Sequence, residues 1–157
     1  MSDWVDLANG TAAAVVGVAG IVGTFFGGRS ASREGRQHAR LESVYEGLAE
    51  FLVQFGSLTN SLDNGTHRGL SQDQHDQLVE KFQALVAKLQ LWAGDSVIDH
   101  VGSLIATVNA LTGPLQSPAG ADGVDESVRE LIRQFDEQAG GLVNAMRRDL
   151  ALPARRK

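Results

Sequence analysis

Four histidines, His38, His67, His75 and His100, are the residues best suited to acid–base or metal chemistry in this sequence. An imidazole changes charge near neutral pH and can give or take a proton or hold a metal ion. A helical metal site presents its ligands at i and i+3 or i+4 on one face, as in a His-x-x-x-His pair, and no such set is read here. His67 falls in an expected loop, 64–70, and His75 with Asp76 near an expected helix start. Asp95, Asp99 and His100 gather at another start, where acids offset the helix dipole. All of these are read as solvated or capping residues. The chain has no cysteine, which excludes disulfides, thiolate nucleophiles and Cys-based zinc sites. No Gly-rich loop follows a strand, so no phosphate cradle is expected. No catalytic, cofactor-binding or metal-binding residue is assigned: the chain is read as not an enzyme, with no cofactor and no small-molecule substrate.

Charge offers a second chemistry. Arg29, Arg33, Arg36 and Arg40 are spaced 4, 3 and 4, so they share one helix face. Arg147, Arg148, Arg155, Arg156 and Lys157 form a second basic cluster at the end of the chain. Near an anionic leaflet each basic side chain is worth about 1 kcal/mol. The plainer reading is that the first stripe fixes membrane topology and the second offsets a helix dipole. The overall net charge of −5 argues against a nucleic-acid-coating role. Eleven Arg against three Lys is a bias typical of a GC-rich bacterial genome.

What must position the first stripe is the segment before it. From Leu7 to Gly28 the sequence holds no charge, between Asp6 and Arg29. As a helix this run spans roughly 33 Å, close to a hydrocarbon core of about 30 Å. Residues 1–6 carry two acids and no Lys or Arg, unlike the basic start of a secretory signal. A buried helix in a soluble fold is the competing reading, but the run has no polar face. The expectation is therefore a single-pass transmembrane helix over 7–28, with residues 1–6 outside. The positive-inside rule then places 29–157 in the cytoplasm, on the inner membrane. Ala19, Gly23 and Gly27 recur every four residues, a small-residue groove suited to helix–helix packing and homo-oligomer formation.

The remainder reads as all-α. Leu41, Val44, Leu48, Phe51, Phe55, Leu58 and Leu62 make an a/d seam in a helix over 30–63. Asn64 or Gly65 suits a left-handed cap. Ser71-x-x-Gln74 is a capping box for a helix over 71–93, with Leu78, Phe82, Leu85, Leu89 and Trp92 on its apolar face. A helix over 95–112, capped by Asp95 or Ser96, buries Val97, Val101, Leu104, Val108 and Leu111. Residues 113–123, with two Pro and three Gly, are expected to be a flexible loop. Asp122 or Asp125 caps the last helix, over 124–151, whose seam is Val128, Leu131, Phe135, Ala139, Leu142 and Met146. Gly140-Gly141 weakens it by about 1 kcal/mol per Gly. With an N-terminal transmembrane helix in front, the architecture is an antiparallel bundle of about four helices over 29–152, with a basic tail at 153–157. The first seam would alternatively serve a homomeric coiled coil.

The stretch Lys88-Leu-Gln-Leu-Trp-Ala-Gly-Asp-Ser-Val-Ile98, with Met146-Arg-Arg-Asp-Leu150, resembles small uncharacterised bacterial proteins that join one N-terminal membrane helix to a helical cytoplasmic domain. The resemblance implies membrane location and no known activity. The function expected is a membrane-tethered, non-enzymatic scaffold or regulator that binds the lipid bilayer and a protein partner. The alternative is a holin-like or toxin-like effector that oligomerises through its Gly-rich helix and, unlike a scaffold, collapses the membrane potential.

Overall fold

The computed structural model describes residues 33–120 and 124–151. The run 7–28, with Ala19, Gly23 and Gly27, lies outside them, as do Arg29 and the tail Arg155, Arg156 and Lys157. Among the described residues no helix is long and apolar enough to cross a membrane.

Four helices and no strand make up the described chain: α1 (Arg33–Asp63), α2 (Gln72–Trp92), α3 (Asp95–Gln116) and α4 (Glu126–Ala151). Tyr45 of α1, Gly94 before α3 and Asp149 of α4 meet at one end. At the other, Arg129 of α4 lies 3.5 Å from Asp63 of α1, and the Leu70 N–H donates to Leu115 O at 2.9 Å. The helices therefore alternate in direction, as the short connections require. The end where α1 begins is called proximal below, the opposite end distal. α1 and α3 each pack on both α2 and α4 and approach one another across the diagonal, whereas α2 and α4 do not meet.

The seams explain the core. Val44, Leu48, Phe51, Phe55 and Leu62 of α1 are buried, with Leu41 and Leu58 packed at the margin. The first seam thus packs within the chain. Tyr45, Ala49, Leu52 and Thr59 are buried beside it, because a helix touching three neighbours needs a wider face than an a/d line. Phe51 stacks on Phe82 with ring centroids 4.6 Å apart, and Phe55 meets Phe135 at 4.9 Å. This aromatic row ties α2, α1 and α4 across the middle, each pair adding about 0.5–1.5 kcal/mol beyond its buried area.

Local signals set most boundaries. Gly65, at φ +70°, closes α1: its N–H donates to Leu62 O at 3.2 Å and the Thr66 N–H to Ser61 O at 2.9 Å, the paired bonds of a Schellman cap. Ser71 and Gln74 form the expected capping box. Asp125 opens α4, accepting from the Val128 N–H at 3.0 Å; Ser127 and that N–H hold its carboxyl below the usual range.

Three expectations need correction. α3 does not stop at 112 but runs to Gln116 through Pro114, which shortens the expected loop 113–123. Pro114 removes a bond to Ala110 O, and Ala110 is exposed, so that carbonyl is left to solvent. In return Leu115 is fully buried and its carbonyl accepts two bonds. The N-cap of α3 is Gly94 rather than Asp95 or Ser96, and no side chain caps it. Trp92, assigned to the apolar face of α2, is 37% exposed. It is the last residue of α2, where the chain turns away from the core.

Tyr45 of α1 is level with Asp149, near the end of α4. The 11 residues of α1 from Arg33 to Ser43, roughly 16 Å long, lead into its core face and are called the neck below; within it Leu41 packs at the core margin and Arg40 lies over Trp92 of α2.

Candidate functional site at the proximal end

The proximal end gathers the features that packing alone does not require. Asp149, in the last turn of α4, accepts a bond from the Tyr45 hydroxyl and another from the Gly94 N–H at 3.1 Å. An acid in a last turn runs against the helix dipole, so its presence there calls for partners. A Cβ on residue 94 would stand 2.3 Å from Asp149 Oδ1, so only glycine lets the turn approach this carboxylate. Tyr45 is 1% exposed. Burial first, then the hydrogen bond and charge of Asp149, push its phenol well above the usual tyrosine range. The phenol therefore stays a donor, and the cluster is a knot that joins α1, the α2–α3 turn and α4.

Outside this knot the surface turns apolar and basic. Leu91 is 69% exposed and, with Trp92, makes the pair of large exposed hydrophobics among the described residues. The Arg40 guanidinium lies over the Trp92 ring, 5.4 Å from its centre, in a cation–π arrangement. Of the sequence-assigned membrane-surface residues, Arg40 is thus on an exposed face of the neck, and Arg33 and Arg36 belong to the same helix.

Charge differs along the bundle axis. Among the described residues the proximal half (33–54, 82–103 and 138–151) holds six basic and seven acidic side chains, a net of −1, and the distal half (55–81, 104–120 and 124–137) four basic and nine acidic, a net of −5.

The histidines do not converge. His75 Nδ1 lies 3.1 Å from Asp76, and His100 Nδ1 is 2.7 Å from Ser96 O one turn earlier. His67, expected to be solvated, is 8% exposed at the distal end: its Nε2 donates to Leu115 O at 2.7 Å, and Nδ1 faces Ser61 Oγ at 3.2 Å. Among the described residues no group of three His, Asp or Glu could hold a metal ion. A groove of about 280 Å³ between α2 and α3, walled by Val79, Val86 and Ile105, carries no titratable side chain.

Sequence reasoning missed Tyr45, Gly94, Asp149, Leu91 and the burial of His67. The misplaced acid in Met146-Arg-Arg-Asp-Leu150 was the signal for the knot. No protein-family model, curated protein or solved structure matches this chain.

Proposed function

We propose that this chain is a membrane-tethered, non-enzymatic helical protein. In this reading residues 7–28 span the inner membrane with the N-terminus outside, and the bundle is a scaffold or regulator on the cytoplasmic face. The observation that carries the reading is the alignment of two polarities. The uncharged run 7–28 precedes α1 in the sequence, α1 begins at the proximal end, and the described proximal half carries a net −1 against −5 for the distal half. An anionic leaflet repels the distal half more strongly than the proximal one. Ala151 closes α4 at the same end, so the basic tail, Arg155, Arg156 and Lys157, follows from there. The absence of titratable groups from the α2–α3 groove fits a binding role better than a catalytic one.

A reporter active only in the cytoplasm, fused after Lys157, tests this. The fusion should be active, and the protein should stay with membranes through alkaline extraction. A full-length chain that is soluble and monomeric without detergent would overturn the reading.

A further inference from the structure

The groove between α2 and α3 is built of apolar and amide side chains alone. Its floor is Phe55, Leu78, Phe82 and Val108, all buried, and the partly exposed Val79, Val86 and Ile105 form its walls. Three exposed carboxamides, those of Gln83, Gln90 and Asn109, stand at the rim. We propose that this groove binds a small neutral amphiphile, an apolar body of about 10–14 non-hydrogen atoms with one uncharged polar end. The proposal concerns the bundle alone and stands whether or not residues 7–28 span a bilayer.

Size, charge and preorganisation choose this class of ligand. The groove holds about 280 Å³, nearly twice the roughly 150 Å³ of an apolar cavity that takes one benzene. Phe55 and Phe82 each stack on Phe51, with ring centroids 5.6 and 4.6 Å apart, so the floor is set before anything binds. No titratable side chain lines the groove, so a charged ligand would be stripped of water with no counter-charge to meet it. The exposed acids of the same two helices, Asp76, Glu80, Asp95 and Asp99, lie outside the lining. A carboxamide both donates and accepts, which suits a hydroxyl or an amide at the polar end.

Width sets a small molecule apart from a protein partner. The two-residue turn Ala93–Gly94 joins α2 to α3, and helices packed side by side lie about 8–10 Å apart between axes. A partner helix is about 10–12 Å across with its side chains. It can rest on the carboxamide rim but leaves the floor unfilled, whereas a methylene chain enters between the walls.

The test uses the full chain in phosphatidylcholine nanodiscs, with its Ile and Val methyl groups labelled for nuclear magnetic resonance. Decyl alcohol, decanoate and decylammonium share one apolar body and differ in charge. At equal free concentration, decyl alcohol should shift the Val79, Val86 and Ile105 methyl signals to saturation. It should bind at least about tenfold more tightly than either charged probe. Ala87→Trp and Gln83→Trp place bulk at two exposed lining positions. Whichever keeps its helical circular dichroism should abolish the shifts; shifts that persist in it overturn the site. Absent or unsaturable shifts also overturn it, and equal binding of a charged probe overturns the ligand class. Shifts of the same methyls that follow protein concentration with no probe present assign the groove to a second copy and overturn the ligand. A chain that proves soluble without lipid is measured in buffer, so the tether can fail while this site stands.

Discussion

The two ends of the bundle are tied by opposite chemistry. At the proximal end one carboxylate, Asp149, gathers donors from α1 and from the α2–α3 turn. At the distal end one imidazole, His67, reaches carbonyl and hydroxyl oxygens of α3 and α1. The loop 64–71 is further bound by backbone bonds from Leu70 to Leu115 and from Ala119 to His67. A charged acceptor makes stronger bonds than a neutral one, and Asp149 is the acceptor on which the Tyr45 hydroxyl depends. The distal carbonyl, by contrast, keeps the Leu70 N–H if the imidazole is lost. A redundant tie should tolerate damage that a single shared acceptor does not.

The largest effect expected is that of Asp149→Ala. It strands the buried Tyr45 hydroxyl and takes the carboxylate from the Gly94 N–H, which keeps only the Tyr45 oxygen, and it should cost about 2–4 kcal/mol in urea unfolding of the full chain followed by helical circular dichroism. His67→Ala costing as much would break the contrast between the ends.

Tyr45→Phe removes one of the two donors and should cost about 1.5–2 kcal/mol in the same measurement. Its pH signature sharpens the comparison. The folded pKa of Tyr45 lies above its unfolded value of about 10. The stabilisation is therefore complete below about pH 10 and is lost as pH rises from there toward the folded pKa. Tyr45 is the one tyrosine of the chain, so ultraviolet absorbance of tyrosinate should appear only as the bundle unfolds. Ordinary titration near pH 10 without loss of helix would show that the knot is open.

His67→Ala should cost less, about 1 kcal/mol, because Leu115 O retains its backbone donor.

The smallest effect has the opposite sign. Gly140 lies in α4 between the two ties, with open space where a Cβ would go. Gly140→Ala should stabilise the bundle by about 0.5–1 kcal/mol. Combined with Asp149→Ala and with His67→Ala, it should leave their difference unchanged.

The helices were legible in the sequence because their burial follows a period that the sequence displays. Leu48, Phe51, Phe55, Phe82, Leu104 and Leu142 announce themselves by spacing, and Ser71, Gly65 and Asp125 by the orphan backbone groups they satisfy. The knot was legible only at one member, the misplaced acid at 149, since it joins residues 45, 94 and 149 and nothing local to Tyr45 names Asp149 as its partner. The end of α3 was misread for the same reason. Pro114 is a local stop, and what overrides it is Leu115, held by a loop some 45 residues earlier in the chain. Leu91 and Trp92 were hidden differently. Periodicity assigns Trp92 to the core, and only the position of the turn at Ala93 puts it outside.

Mechanical loading gives the start of α1 a meaning that equilibrium stability does not. α1 begins and α4 ends on the same side of the molecule. A pull between those two points therefore peels the helices apart a turn at a time and does not slide one past the other. The first rung of that ladder is the bond between Tyr45 and Asp149, with Val44 beside it, and the Phe51, Phe55 and Phe135 row lies behind. Under such a pull, the resistance of the bundle is set by one phenol and one carboxylate before its aromatic centre bears any load.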